Sequence, residues 1–508
     1  MKFSKTYLYL LFLLALVPVA CKKSFLDTNP TDRVSETTAF SSIENVRKTL
    51  NGTYRILYTQ FTNQHRDGHG AMMINLDAMG EDYVRTNSSY VYHYQSYRWS
   101  AHRSASDTNV NGFAYSFYYI VISNANMIIE NVDHAEGTEN EKRGIKGEAL
   151  ALRAWAHFQL VQLYGKRYDA ATIPNNQPGI PVVINTETAG QPRATVEAVY
   201  AQINADLDQA IDLLTDAPAR TNKTHVNINV AKGFKARVAL TMQNWAVAAQ
   251  YAKEARTGFT LMTNAEYLGG FTDISNKEWM WGIIQPADQV PTFGSFYAYM
   301  SSNFNSSFTR LNPKLINSNL YAMIAAGDVR KKLWWNGTAA DRVNFPGTIN
   351  PNTMAVASGQ IATKPAYMHR KFMVSNVATS AGDIPYMRAG EMYLIEAEAE
   401  AQLGQATAKE TLYALARNRN PSYTMSTNAG QSLVDEILIQ RRIELWGEGF
   451  RFFDLKRTNA ALDRREANHK PDVALTLHVP AGDHGWQWLI PQSEINSNPA
   501  IGQANQNP

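Results

Sequence analysis

The sequence holds a single cysteine, Cys21, among 508 residues. An internal disulfide and a cysteine-rich zinc site are both excluded, so packing must hold the fold. A dominant charge is also lacking. Lys and Arg number 48 against 45 Asp and Glu, a formal difference of +3, and the charges are spread without the basic stripe that a nucleic-acid backbone requires. Nucleic-acid binding is therefore not expected. The motifs of nucleophilic, phosphate and zinc-hydrolase chemistry are missing too: Gly-x-Ser-x-Gly, Gly-x-x-x-x-Gly-Lys and His-Glu-x-x-His do not occur. No cofactor is implied. Beyond the first twenty residues, no run is long and apolar enough to span a bilayer.

What is present begins with an export signal. Lys2 and Lys5 precede an uncharged stretch from Tyr7 to Val19, and Ala20, Cys21, Lys22 and Lys23 follow at once. At about 13 residues the stretch falls short of the roughly 20 of a membrane-spanning helix, which favours a cleaved signal. A small residue directly before Cys21 resembles the lipobox of bacterial lipoproteins. The expectation is a signal peptide over 1–20 and a soluble body over 21–508, tethered by acyl chains on Cys21.

Helical periodicity dominates about 30–265 and 385–457. The segment Gly147 to Tyr164 carries apolar residues on most of its circumference, which predicts a helix buried on several sides. Val196, Tyr200, Ile203, Leu207, Ala210 and Leu214 recur at helical spacing, and Ala248, Ala252 and Ala255 offer a small-residue face to a neighbour. Such Ala-rich helices resemble tetratricopeptide pairs, without a clean repeat. A helix is expected from Pro385 to Gly404, and another after a capping-box-like start at Ser432. The stretch of about 258–384 is rich in loops and aromatics. The tail from Gln487 should lie over the surface as irregular chain.

Several candidate sites can be weighed on their residues. Asp107 to Gly112 (DTNVNG) matches the first half of a calcium loop, but Tyr118 stands where the twelfth position needs Glu. A helix N-terminal cap explains it better. His65 and His69, four apart, lie in a Gly-containing HRDGHG segment that reads as a polar loop. Glu81 and Asp82 could serve a glycosidase, though adjacent loop residues rarely present two carboxylates across a sugar. The segment Arg441 to Arg457 (RRIELWGEGFRFFDLKR) mixes charges with large apolar residues. Glu444 follows Arg441 by three and Asp454 follows Arg451 by three, so local ion pairing is available if each part is helical. Finally, Glu81 to Trp99 crowds tyrosines beside Arg85, Asn87, His93 and Arg98. Flat rings stack on the apolar face of a sugar while Arg, Asn and Asp bond its hydroxyls.

Taken together, these passages resemble the SusD/RagB family of nutrient-binding lipoproteins. The resemblance is carried by the lipoprotein start with Phe25-Leu26-Asp27 and Asn29-Pro30, the helix GEALALRAWAHFQLVQLYG, Gly179-Ile180-Pro181 and NKEWMWG. Later come Asp328-Val329-Arg330, PYMRAGEMYLIEAEA, RRIELWGEGFRFFDLKR and the ending LIPQSEINSNPAIGQANQNP. It implies a mainly α fold: a single SusD-like domain with tetratricopeptide-like helix pairs as scaffold and long irregular loops carrying the ligand site. It also implies a binding protein in place of an enzyme, attached to the outer membrane at the cell surface and partnered with a SusC-like TonB-dependent transporter. By chemistry and region, the expected platforms for an oligosaccharide are Tyr83, Tyr97, Trp99, Trp281, Phe296 and Tyr297, with Asp82, Arg85 and Asn87 as hydrogen-bonding groups. A peptide ligand, or a glycoside hydrolase using Glu81 or Asp82, are the alternatives.

Overall fold

The computed structural model describes residues 36–88, 92–291, 293–338 and 365–508. The expected signal peptide, Cys21 and Tyr90 lie outside the described residues. Helix α1 (Ile43–Ile56) is capped by the Ser42 hydroxyl, which accepts from the Asn45 N–H. Helix α2 (Gly68–Ala78), strand β1 (Tyr83–Arg85) and helix α3 (Asn111–Asn131) follow. Helix α4 (Glu139–Tyr164) opens with a capping box between Thr138 and Glu141 and is buried continuously from Gly147 to Tyr164. Thr195, Asn227 and Asn244 cap α5 (Val196–Leu214), α6 (Ile228–Thr241) and α7 (Trp245–Ala255). Strands β2 (Trp279–Ile283), β3 (Lys314–Ile316) and β4 (Ile384–Arg388) lead to α8 (Ala389–Gln402), α9 (Thr407–Arg419), α10 (Gln431–Glu444) and α11 (Arg451–Arg457).

From α3 to α7 each helix packs against the next, and α7 packs directly on α8 although residues 256–388 intervene. The helix array is therefore continuous in space, and the loop-rich stretch is an excursion from it. Close approach within the array depends on small residues. A Cβ at Gly147 of α4 would fall 2.8 Å from Leu214 of α5, and Ala248, Ala252 and Ala255 of α7 are all buried. Fully buried side chains such as Ile203 and Leu207 contribute about 2 kcal/mol each by leaving water.

Two antiparallel pairings tie the excursion down. β2 pairs with β4, Trp279 opposite Arg388 and Ile283 opposite Ile384, so the chain returns to the array beside the strand on which it left. β1 pairs with β3, Tyr83 opposite Ile316 and Arg85 opposite Lys314, joining the 81–99 segment to the excursion.

The structure corrects three expectations. Residues 384–388 are a buried strand, and the helix expected from Pro385 begins at Ala389. Helix α10 starts after Gly430 without a side-chain cap, because Ser432 already lies in its first turn. The tail is partly core: Trp488 and Ile490 are buried, and the Trp488 N–H donates to the Leu163 carbonyl at 3.0 Å.

At the seam between excursion and array lies a buried ion network. Arg388 at the end of β4 donates to Glu278 (2.5 Å), Glu444 (3.0 Å) and Glu448 (2.6 Å). Arg419 shares Glu278 and Glu444, Arg330 joins Asp328 to Glu444, and Lys371 holds Glu448. Four cations thus face four carboxylates, a balance that buried charges need. Burial would push the Glu444 carboxyl up, but Arg419, Arg388 and Arg330 outweigh it and hold it far below the carboxylate range. Neither of the two pairs expected at spacing three, Arg441 with Glu444 and Arg451 with Asp454, forms, although Asp454 does pair with Arg457 three residues on. Arg441 pairs with Asp454 at 2.8 Å, Glu444 with the three arginines, and Arg451 with Glu81 at 2.5 Å.

Candidate carbohydrate-facing surface

The expected platforms are placed first. Tyr83, Tyr97, Trp99, Trp281, Phe296 and Tyr297 are all buried, and each is occupied. Tyr83 stacks on Trp446 at 6.1 Å, and Tyr97 is hydrogen-bonded to His469 Nδ1 at 2.7 Å. Trp99 packs edge-on to Trp486 at 4.8 Å and donates its indole N–H to the Met79 carbonyl at 2.7 Å. Trp281 lies among Trp155, Phe234 and Tyr386, with its N–H on the Thr224 carbonyl at 3.0 Å. Phe296 packs against Phe372 at 5.1 Å, and the Tyr297 hydroxyl donates to the Asp383 carbonyl at 2.9 Å. None of these six rings offers a face to solvent, which corrects the expectation that they are exposed platforms. Long-range packing has claimed them.

The expected polar groups act on the loops. Buried Asp82 is held by Arg442, with Nη2 to Oδ1 at 2.6 Å. Arg85, also buried, donates from Nε to the Asn87 carbonyl (3.1 Å) and from Nη1 to the Tyr92 carbonyl (2.8 Å), so it holds Asn87 and Tyr92 to one point. Its guanidinium lies 4.7 Å from the Tyr94 ring. Half-buried Asn87 donates to the Leu311 carbonyl and so joins the end of β1 to the short helix Ser307–Leu311.

Arg85 so positions a different ring at the surface. Half-buried Tyr92 lies 4.9 Å from His65, 5.5 Å from Tyr299 and 6.1 Å from Phe308. Tyr299 and Phe308 meet at 5.1 Å and 90°, and the Tyr299 hydroxyl donates to the Gln64 carbonyl at 2.9 Å. The 60–67 turn that carries His65 is closed by Phe61 N–H to the Arg66 carbonyl at 2.7 Å. It presents Asn63, whose amide donates to Asn109 Oδ1 at 3.0 Å. Phe293 is 51% exposed, with its ring 6.2 Å from Phe304 and its chain neighbour Gly294 against Gln60 of the 60–67 turn, and Leu311 and Val377 are 43% and 42% exposed. Burial pushes the His65 imidazole below its ordinary value, against the pull of Asp107, so it is neutral at pH 7. The result is an aromatic ledge bordered by the half-buried amides of Asn63, Asn87 and Asn109. The half-buried Tyr92 and His65 rings, tilted 47° to one another, can each stack on a sugar ring while the amides bond its hydroxyls.

Of these residues Asn87 was expected as a hydrogen-bonding group and Tyr92 lies in the tyrosine-rich stretch, whereas Asn63, His65, Asn109 and Phe293 were not among the expected ligand groups. The signal for Asn63 and His65 was the polar run Thr62-Asn63-Gln64-His65-Arg66 between apolar segments, which marks an exposed turn.

The other candidates resolve into structure. Asp107 Oδ1 accepts from the N–H groups of Val110 (2.7 Å) and Asn111 (3.0 Å) at the start of α3. His69 is not in a loop as expected. It is buried in the first turn of α2 with Nδ1 3.0 Å from the Tyr118 hydroxyl, away from His65. Among the described residues no group of three His, Cys, Asp or Glu could hold a metal. Glu81 and Asp82 are both salt-bridged to Arg442 and Arg451. Burial pushes the Glu81 carboxyl up, but the two guanidiniums outweigh it and the net direction is down, the opposite of what a general acid requires.

Comparison with known proteins agrees with this architecture. Residues 24–240 match the family model described as starch-binding associating with outer membrane, and residues 243–508 match that of the SusD family. A SusD-like protein of Bacteroides ovatus is 26% identical over 292 residues, 54% of this chain and 49% of that protein, so the chain spans about half the length of that relative. SusD-like protein P25 of Formosa agariphila is 22% identical over 479 residues, 87% of this chain and 88% of the relative. Among solved structures, a SusD-like carbohydrate binding protein from Bacteroides vulgatus superposes with a TM-score of 0.78 at 28% identity, covering 91% of this chain and 98% of its own. A laminarin binding SusD-like protein superposes with a TM-score of 0.69 at 19% identity, a likeness of fold, over 92% of this chain and 100% of its own.

Proposed function

This chain belongs to the SusD family, and on that footing we propose that it captures an oligosaccharide or polysaccharide without cleaving it. Capture takes place at the outer membrane, where acyl chains on Cys21 tether the body at the cell surface. Among the described residues no helix is long and apolar enough to cross a membrane, and a lipid tether is compatible with that. The captured glycan passes to a SusC-like TonB-dependent transporter over which the protein closes.

One observation carries the reading: the Tyr92 and His65 ledge, with Phe293 exposed beside it and the amides of Asn63, Asn87 and Asn109 at its border. Of the groups expected from the sequence, Asn87 remains a ligand contact in this reading. Asp82, Tyr83, Arg85, Tyr97, Trp99, Trp281, Phe296 and Tyr297 act as its support. The salt-bridged state of Glu81 and Asp82 favours capture over hydrolysis. Retardation in gels cast with a panel of polysaccharides tests the proposal. Retardation by at least one, without release of reducing ends, is expected. Retardation by none, with binding of peptides, would overturn it.

A further inference from the structure

Away from the ledge, Glu148 is a carboxylate in the buried stretch of α4, 8% exposed. Its Oε2 accepts from the Tyr54 hydroxyl of α1 at 2.6 Å and from His225 Nδ1 at 2.8 Å. The Tyr54 hydroxyl in turn accepts from the Val226 N–H at 2.9 Å, and the Tyr54 and His225 rings meet at 4.3 Å. Donors on one oxygen therefore fix the carboxylate in place. The other oxygen, Oε1, has no hydrogen-bond partner among the described residues, and it is not sealed in the packing, since the side chain keeps 10% of its surface. A carboxylate so deeply set that spends one oxygen leaves the other to accept from outside.

Glu148 and His225 lie in the wall of a groove between α1, α4, the end of α5 and the 217–228 loop. The groove has a volume of about 510 Å³, which is ample for a small molecule. With its Nδ1–H given to the carboxylate, the neutral His225 ring carries a lone pair on Nε2, and that atom too has no partner among the described residues. Arg220 stands on the backbone side of His225. Its Nη1 and Nη2 donate to the carbonyls of His225 (2.7 Å) and Met280 (2.8 Å), which fixes the guanidinium. Its Nε–H has no acceptor and its charge no ion-pair partner among the described residues. Burial pushes the guanidinium down to about 10, against the pull of Tyr54 and Glu148, so it is charged at pH 7.

Charge and shape together decide the class of ligand. The wall carries Glu141 and Glu148 against Arg47 and Arg220, so a solute without net charge matches it. Glu141 is spent on the capping box with Thr138. An open carboxylate oxygen and an imidazole lone pair are left on one side of His225, and an open guanidinium N–H on the other. A lone carboxylate would face Glu148 and a lone amine would face Arg220, whereas a solute with both charges meets a partner at each end. The rest of the wall is largely aliphatic, with Ile145, Leu214, Ala217, Pro218 and Ile228. Among the described residues no Phe, Tyr or Trp lines it to stack a sugar ring. We infer that the groove is a second binding site, which takes a free α-amino acid with an aliphatic side chain. The ammonium donates to Glu148 Oε1 and His225 Nε2, the carboxylate accepts from Arg220 Nε, and the side chain lies against the aliphatic wall. This site stands apart from the ledge and does not depend on the ledge binding a glycan.

Calorimetry or saturation-transfer NMR on the wild-type protein tests it, with L-leucine as the probe. L-leucine is expected to bind, and two analogues to bind about tenfold more weakly or not at all: N-acetyl-L-leucine, which lacks the ammonium, and L-leucinamide, which lacks the carboxylate. Glu148→Gln keeps the shape and turns an amide toward the ammonium, so a loss of about tenfold in leucine affinity is expected of it, while Tyr92→Ala should leave that affinity unaltered. The analogue series on the wild type carries the test should Glu148→Gln fold poorly. No binding of L-leucine, either analogue binding as tightly as L-leucine, displacement of L-leucine by D-glucose, or unchanged affinity in a folded Glu148→Gln would each overturn the inference.

Discussion

Arg442 and Asp82 meet in a bidentate pair across 360 residues of chain, with Nη2 2.6 Å from Oδ1 and Nε 3.1 Å from both carboxylate oxygens. Arg451 holds the neighbouring Glu81 in the same manner, at 3.1 and 3.2 Å from its Nε. The two pairs fasten the start of the 81–99 segment to α10 and α11, and β1 then delivers Arg85 to the Tyr92 carbonyl. A pair that resembles an acid and base in sequence is thus a clamp beneath the ledge. Asp82→Asn is expected to destabilise the fold by about 3 kcal/mol, because it leaves Arg442 and Arg451 to share the single carboxylate of Glu81. Urea unfolding measures this, and an unchanged midpoint would contradict the clamp.

The seam network makes a second prediction. Glu444 accepts from Arg330, Arg388 and Arg419, so Glu444→Gln keeps the shape and leaves one buried positive charge in excess. A loss of about 3–5 kcal/mol is expected, with the excursion loosened from the array. Limited proteolysis should then cut between residues 256 and 388 faster than in the wild type. Wild-type cleavage rates in the variant would argue that the network is incidental.

Acid sensitivity follows from buried imidazoles. Burial pushes His69, His102, His157 and His369 down to about 3 and His469 to about 4, and holds His93 well below its ordinary value. The unfolded chain therefore binds protons below about pH 6.5 that the folded chain refuses. Their contribution is fully present above that pH and is lost as the pH falls toward 3, at about 1.4 kcal/mol per pH unit for each group. Asp77, pushed up to about 7 by burial, pulls the other way, as do Asp67, Asp383 and Glu396. With His65 pushed down as well, seven histidines against four acids leave a net loss, so the melting temperature should be lower near pH 5 than near pH 7.5. Thermal scans giving a flat or opposite trend would contradict the assignment of neutral histidines.

Buried and exposed rings should respond differently to substitution. Trp281→Phe at a fully packed site should cost stability and leave glycan affinity as it was. Phe293→Ala, at a ring 51% exposed, should leave stability within experimental error. It should weaken glycan binding by about 1 kcal/mol, roughly fivefold. Calorimetry paired with thermal melts reads both effects, and the reverse pattern would return Trp281 to the site.

The contrast between Trp281 and Tyr92 shows what the sequence could express. Helices α4 and α5 were legible because their burial repeats every three to four residues, a local pattern. In aperiodic chain no such pattern exists, and whether a ring is buried is set by partners far away in sequence. Trp155 and Tyr386 cover Trp281, and His469 claims Tyr97. The ion pairs failed to be legible for a related reason. Residues 441–457 are not one helix: the chain turns through Gly447 and Gly449 at φ of 81° and 85°, conformations that glycine adopts freely. The turn brings Asp454 to Arg441, while Glu444 and Arg451, each correctly spaced within its own helix, are claimed by Arg388 and Glu81 from far away in sequence, and the pair that does form at spacing three is Asp454 with Arg457. The ledge was visible as a region of aromatic and amide residues, while its members depended on which residues Arg85 and Asn87 would tie down.

The most direct test of the central claim is calorimetric titration of the wild type and Tyr92→Ala with a polysaccharide that retards the wild type in affinity gels. The account predicts binding to the wild type, weakened several-fold or abolished by Tyr92→Ala while the melting temperature holds. Equal affinity in the two proteins would contradict the ledge as the site of capture.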